Sequence, residues 1–191
     1  MINHLKRCDW CGEDPLYTAY HDDEWGVPIF DDQKLFEFLL LEGAQAGLSW
    51  ITVLRKRENY RKAFDQFDAA KIALYDDKQQ EELLQNPGII RNKLKIAGFI
   101  KNAQSYLNLI EKQGCFSHYI WQFVDGKPLQ NSWRTLAEVP TTTPAAEAMS
   151  KALKKAGFTF VGPTICYAFM QATGMVNDHL VSCYRHAELS S

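Results

Sequence analysis

The chain has 191 residues, 46% hydrophobic and 23% charged, with 21 Lys and Arg against 23 Asp and Glu for a formal net charge of −2. That balance suits one compact domain or two closely joined lobes, and it excludes a disordered chain, a polybasic tail and a histone-like protein. DNA binding stays open, because phosphates respond to a local basic patch rather than to net charge.

The opening residues, MINHLKRCDW, carry charge with no apolar stretch behind them, so no signal peptide is read there. No apolar run approaches the roughly 18 residues of a membrane helix, and the expectation is a cytoplasmic protein without a membrane partner. Asp31 and Asp32 are placed to cap a helix through Leu35, Phe36, Phe38, Leu39 and Leu40, which the GAQAG run at 43–47 should end or bend. Ser49 is a candidate N-cap for a helix through Trp50, Val53 and Leu54 that turns strongly charged at 55–62. A short helix is expected after Asp68, and another over 77–85. Asn86, Pro87 and Gly88 break that one, and a long helix follows from about Arg91 to Lys112, with Leu94, Ala97, Ile100, Leu107 and Ile110 as its buried stripe.

The segment FSHYIWQFV predicts a short buried helix, and 125–143, with Gly126, Pro128, Pro140 and a Thr triplet, predicts an extended loop. Thr143 and Pro144 form a cap and first-turn pair for a helix through Lys155 that Gly157 ends, and Pro163 opens a final long helix to about Thr173. Only residues 158–161 offer a strand-like alternation, so the fold class is all-α.

Three constellations can carry chemistry. NPGIIRNK at 86–93 joins two helices through a Pro-Gly turn, the pattern of a helix-hairpin-helix, whose helix-start amides bind a DNA phosphate. Arg91, Lys93, Lys95 and Lys101 put four positive charges on or just beyond that turn with no acid between them. A plain interhelical loop with a solvated basic face accounts for the same residues.

The second constellation comes from five cysteines, at 8, 11, 115, 166 and 183, and five histidines, at 4, 21, 118, 179 and 186. An odd cysteine count argues against a disulfide framework and for a reducing compartment. Cys8 and His21 lie near one end, His179 and Cys183 near the other, and two thiolates with two imidazoles suit tetrahedral zinc. His179 and Cys183, four apart, would share one face of a helix. Cys8 and Cys11 have ligand spacing of their own, and separate core cysteines with surface histidines explain the pattern too. The residues alone leave the ligand set open.

The third is a group of aromatics, Trp10, Tyr17, Tyr20, Trp25 and Trp50, with Glu42 among them in sequence. Glu42 follows FLLL and precedes small residues, so it is drawn toward an apolar setting where a carboxylate needs a partner or a shifted pKa. The ordinary alternative is a helix-end acid in water.

The segments DPLYTAYHDDEWG (14–26), LEGAQAGLSWITVLRKRENY (41–60), NPGIIRNKLKI (86–96) and GFTFVGPTICYAFMQATGMVNDH (157–179) together resemble the bacterial 3-methyladenine DNA glycosylase I family. The resemblance runs from Cys8 to Cys183. It implies a helix-hairpin-helix DNA glycosylase, one unit over 1–191, with a hairpin lobe at about 30–125. A second lobe, from about 1–29 and 140–191, would be stapled by zinc. It further implies one structural zinc ion on Cys8, His21, His179 and Cys183, remote from the chemistry, and no organic cofactor. Cys11 is a departure from the pattern.

By the same resemblance Glu42 is the base-reading catalytic carboxylate, Trp10, Tyr20 and Trp50 line the pocket, and Trp25 lies close by. Gly47, Leu48 and Ser49 approach the lesion, while Gly88, Ile90, Arg91 and Lys93 bind the DNA. The implied activity is hydrolysis of the N-glycosidic bond of a flipped 3-methyladenine. The expected partners are alkylated double-stranded DNA and the free base, with the chain a monomer. Related hairpin glycosylases place an essential Asp about one long helix past the hairpin, whereas no Asp lies between Asp77 and Asp125 here. An enzyme without it depends on a leaving group that is already reactive. Two other classes remain: a zinc-stabilised helical module that binds DNA without chemistry, and a zinc hydrolase acting on a small molecule.

Overall fold

The computed structural model describes residues 5–190; His4 lies outside them. Its centre is a helix with no polar face. In α2 (Asp32–Gln45) ten successive residues, 35–44, are buried, and a helix apolar all round must be covered all round. α3 (Trp50–Leu54), α7 (Lys93–Gln113), α8 (Phe116–Trp121) and α10 (Pro163–Ala172) pack against it. Of its two buried acids, Glu37 pairs with Arg61 at 2.7 Å, whereas Glu42 has no ion pair among the described residues.

The remaining helices are α1 (Pro15–Asp23), α4 (Arg57–Ala63), α5 (Ala69–Ile72), α6 (Asp77–Gln85), α9 (Pro144–Lys155) and α11 (Tyr184–Glu188). Among the described residues the only strands are β1 (Leu129–Gln130) and β2 (Val176–Asn177), which pair in parallel. No described helix is long and apolar enough to cross a membrane. One hydrophobic core runs from Tyr20 to Val176, and a small satellite holds Cys8, Leu180 and Cys183.

Local capping sets most helix starts. Asp14 accepts from the amides of Leu16 and Tyr17 ahead of Pro15, Asp68 caps α5, and Thr143 accepts from Ala146 N–H. Asp31 caps α2 through Lys34 N–H. Asp32 does something else: its carboxylate accepts from the amides of Phe116 and Ser117, capping α8 across the fold. Ser49 stands at the N-cap position, but its hydroxyl meets Thr52 Oγ1 at 2.8 Å and caps no amide.

Four expectations need correction. α7 starts at Lys93, and its inner face is Ile96, Phe99, Ile100, Ala103, Tyr106 and Leu109, while Leu94 is 73% exposed. The aromatic rings of Phe99 and Tyr106 bury the larger area, and they set the rotation of the helix. Residues 158–161 form no strand, because Phe160 takes φ +55° and drives its ring to within 2.8 Å of where a side chain at Gly98 would begin. α10 is followed by the further helix α11. His179 and Cys183 meet in a turn between β2 and α11, not on a helix face.

Gly174 is the tightest junction between the two ends of the chain. Its φ is +69°, and a Cβ there would lie 2.4 Å from the backbone of Val27 and Pro28. Backbone cannot swing aside as a side chain can. Gly174→Ala is therefore expected to cost about 3 kcal/mol or more and to lower Tm by roughly 10 °C. Gly12→Ala, at φ +57° with open space around it, should cost only about 1 kcal/mol. Thermal unfolding of the two variants checks the contrast; equal losses would mean that strain alone, not the contact, matters at Gly174.

Candidate functional site

Glu42 sits on the last buried turn of α2, 3% exposed. No hydrogen bond or ion pair to its carboxyl group is found among the described residues, and burial pushes it up to about 8. It faces a cavity of about 200 Å³. The walls come from three places. α1 contributes Tyr17 and Tyr20, three apart on one face; the turn before it contributes Trp10; Trp50 opens α3. Ring centroids are 5.0 Å apart for Trp10 and Tyr17, 4.9 Å for Trp10 and Trp25, and 5.4 Å for Tyr20 and Trp50. Burial holds the Tyr20 phenol well above its ordinary value, so it keeps its proton and can donate.

The Trp50 indole N–H is also buried without a partner. A cavity with aromatic walls, a free carboxyl group and a free donor is incomplete as packing, since each unmet buried group costs about 1–3 kcal/mol. It suits a flat polar ring. The opposite wall behaves differently. Asp178 is 2% exposed, and its two oxygens accept from Asn131, Trp133, Tyr167 and Gln171. Four donors leave it no free lone pair to offer a ligand. Asp178, Gln171 and Gln45 line this cavity and were not singled out from sequence. For Asp178 the available signal was an acid inside the apolar run before His179.

The second cluster is that of Cys8, His21, His179 and Cys183, whose ligand atoms all lie within 4.8 Å of one another. His179 Nδ1 is 3.7 Å from Cys8 Sγ and 3.5 Å from Cys183 Sγ, and His21 Nε2 is 3.5 Å from Cys183 Sγ. The sulfur-nitrogen edge of a tetrahedral zinc site is about 3.6 Å, from the usual bond lengths, so the donors fit such an ion in kind and in spacing. Their outer hydrogen bonds fit as well. His21 Nδ1 donates to Asp22 at 2.8 Å and His179 Nε2 to the Trp25 carbonyl at 3.0 Å, which leaves the inward nitrogens without a proton, that of His21 accepting from Cys8 N–H at 3.3 Å. Burial pushes the Asp22 carboxyl group up, but hydrogen bonds from Arg7, His21 and Tyr184 outweigh it and bring it down to about 2. Cys11 is buried nearby, yet its thiol turns to the Cys8 carbonyl at 3.2 Å and stays out of the cluster.

The cluster is not remote from the cavity. The Trp10 ring lies 5.3 Å from His21, and the Trp25 ring 4.6 Å from His179. The aromatic wall thus has the cavity on one side and the four donors on the other.

The hairpin candidates gather at a separate edge. Asn86 Oδ1 accepts from Gly88 N–H, Ile90 N–H donates to Tyr60 Oη at 3.1 Å, and Asn92 caps α7. The amides of Arg91, Lys93 and Leu94 have no acceptor among the described residues, and the side chains of Arg91 and Lys93 are exposed beside them. Lys101 is exposed as well, but Lys95 is not a surface charge. It is 9% exposed, with its ammonium turned inward. Gly47, Leu48 and Ser49 form an exposed turn between Gln45 and Trp50, which line the cavity, with Gly47 at φ +79° and Leu48 39% exposed.

Comparison with known proteins fits this arrangement. The family model for methyladenine glycosylase matches residues 10–186. DNA-3-methyladenine glycosylase 1 of Escherichia coli (strain K12) is 55% identical over 179 residues, which is 94% of this chain and 96% of that protein. A crystal structure of 3-methyladenine DNA glycosylase I, 57% identical, superposes with a TM-score of 0.91 over 94% of this chain and 98% of the other. The Staphylococcus aureus enzyme, solved to explain its recognition of 3-methyladenine, is 36% identical with a TM-score of 0.91 over 94% of this chain and 96% of its own. The chain belongs to the methyladenine glycosylase family.

Proposed function

We infer that this chain is a base-excision repair glycosylase that hydrolyses the N-glycosidic bond of 3-methyladenine in alkylated DNA. The observation that carries the reading is the unpartnered Glu42 in an aromatic cavity, in a chain more than half identical to an enzyme of that name. Methylation at N3 makes the adenine a cation while it is still attached to the sugar, so the bond at C1′ breaks toward a neutral base and needs no acid. The protein has to extrude the nucleotide and hold the base while water adds to an oxocarbenium-like sugar.

Trp10, Tyr20, Trp25 and Trp50 supply the ring faces and edges, worth about 0.5–2 kcal/mol to a cationic ring. A positive base lowers the Glu42 pKa, so the carboxylate forms as the base enters and bonds its edge with charge assistance. Trp50 N–H and the Tyr20 hydroxyl are the available donors. A normal adenine is neutral and better stacked, and its glycosidic bond stays strong, so it is refused at several steps.

DNA is held, in this reading, at a helix-hairpin-helix edge formed by α6 and α7. The free amides of Arg91, Lys93 and Leu94 take a phosphate there, with Gly88 and Ile90 shaping the turn and Gly47, Leu48 and Ser49 reaching the lesion. The hairpin lobe spans about 30–125, and the termini, about 1–29 and 140–191, form the second lobe. Cys8, His21, His179 and Cys183 hold one zinc ion. Bound there it supplies a crosslink between the chain ends and no reaction chemistry, because four protein donors leave no open position.

Glu42→Gln keeps the shape of the side chain and loses the charge. Release of 3-methyladenine from methylated duplex, followed by chromatography of the freed base, should fall about tenfold or more, since a charge-assisted bond is worth about 1.5–3 kcal/mol. Glu42→Ala should fall further, with duplex affinity close to normal; full excision by Glu42→Ala would put the pocket elsewhere. Stability carries a second signature. Burial raises this pKa to about 8 in the fold, so the contribution of Glu42 is complete below the ordinary carboxyl range and is lost as pH rises through about 8. Urea unfolding of the wild type should weaken by up to about 1.4 kcal/mol per pH unit across that window, and Glu42→Gln should remove the slope.

Cys183→Ser should lower metal content and Tm together, because binding at a closed site is folding energy. It should also shift the tryptophan emission, since Trp10 and Trp25 rest on the ligand imidazoles. Metal analysis of the wild type that finds no zinc removes this part of the reading. Arg91→Glu or Lys93→Glu should weaken binding to undamaged and alkylated duplexes alike and reduce the salt slope by about 1. An unchanged affinity and slope would mean that the DNA is anchored at another edge.

A further inference from the structure

Lys95 is a lysine on the first turn of α7 that reaches neither solvent nor an acid. Its ammonium donates to the carbonyls of Ala44 and Ala46, both at 2.7 Å. These belong to the end of α2, where the last carbonyls of a helix have no intrahelical donor and a cation is favoured. Beyond Ala46 the chain turns sharply: Ala46 is extended at φ −45° and ψ 117°, and Gly47 is left-handed. What this end carries is one edge of the cavity. Gln45 lines it, Glu42 lies one turn back, and Trp50 follows four residues after Ala46.

Stability alone does not explain a lysine here. Taking an ammonium out of water costs several kcal/mol after relaxation, and an apolar side chain of the same length would fill the space without that cost. The two carbonyls are neutral and offer no ion pair in return. Burial accordingly lowers the Lys95 pKa. An apolar side chain, however, has no donor with which to join the two carbonyls of α2 to α7.

We propose that Lys95 is a positioning residue for base excision, its ammonium fixing the end of α2 and the edge of the cavity at 45–49 to the first turn of α7. This turn is also the one whose free amides face the DNA in the reading above, on which the proposal rests. Asn92, the cap of α7, bonds the backbone amide of Lys95 itself. A phosphate seated at the start of α7 is therefore one residue and one side chain away from the segment beside the flipped base. The duplex and the base are held in one register by Lys95, which contacts neither.

The test compares Lys95→Met, which keeps the stem and loses the charge, with Lys95→Arg, whose guanidinium retains donors for two carbonyls. For Lys95→Met, kcat for release of 3-methyladenine from saturating methylated duplex should fall about tenfold or more. Affinity for undamaged duplex and for free 3-methyladenine should stay within about twofold, because neither contact is removed. Hydrogen exchange at the amides of Ala46 and Leu48 should quicken, and Lys95→Arg should recover most of the loss. Should Lys95→Met fail to fold, Lys95→Gln, whose stem is one bond shorter and holds its amide short of the two carbonyls, carries the same comparison.

Wild-type kcat in the charge-free variant overturns the proposal. So does a parallel fall in excision, free-base binding and duplex binding, which marks general loosening, or an Arg variant as impaired as the Met variant. If the wild type itself releases no base, the functional reading is what fails, and exchange at Ala46 and Leu48 still decides whether Lys95 holds that edge.

Discussion

The burial of α2 on every side is the constraint from which the site follows. A helix buried at ten successive positions, all apolar but Glu37 and Glu42, has no face to offer water, so the rest of the chain must enclose it. α7 and α8 close one part of its circumference, while α3 and α10 close others. Once that is done, any polar residue in the run is carried into the interior whether or not it has a partner. Glu37, nearer the start, still reaches Arg61 on α4. Glu42, a turn and a half further on, reaches nothing, and it becomes the unmet polar group of a cavity. The fold thus places a carboxyl group where folding alone would not choose one.

The two acids of the cavity differ in how fully they are bonded. Asp178 is saturated by four donors and helps fix the wall; Glu42 is left free to respond to what enters. A carboxyl group raised to about 8 by burial is most easily ionised beside a positive charge, so the empty cavity costs least in its protonated form and a cationic ring would favour the carboxylate. The aromatic wall is stiffened from behind, because two of its tryptophans lean on the imidazoles that join the chain ends.

Features written in short stretches of sequence were legible. Asp31, Asp68 and the Thr143 and Pro144 pair announce helix starts because a cap acts on amides two or three residues away. The helix over 77–85 ends at the Asn-Pro-Gly turn for the same local reason. The site residues were legible as types, and for their assignment the family resemblance did what spacing could not. Features decided by tertiary contact were not legible. The rotation of α7 depends on what covers Phe99 and Tyr106, so Leu94 was given the wrong side. Lys95 read as one more basic residue at the turn, because the carbonyls that claim it lie about 50 positions back. Asp32 looked like a cap for its own helix and serves α8 more than 80 residues away. The exclusion of Cys11 rests on the direction of its thiol, which a Cys-x-x-Cys spacing does not encode.

The meeting of Cys8 with His179 spans 171 positions of chain, and it sets the order in which the molecule comes into being. Trp10 and Tyr20 leave the ribosome more than 150 residues before Asp178, yet all three line one cavity. Contacts so distant in sequence form only after the intervening helices have condensed, since closing the long loop costs chain entropy before any contact rewards it. A nascent chain that has already made the basic turn at 86–93 therefore has only part of its cavity wall. Competence to hold a base therefore waits on the turn that carries Asp178 and His179, which has to reach back to Cys8 and Trp10.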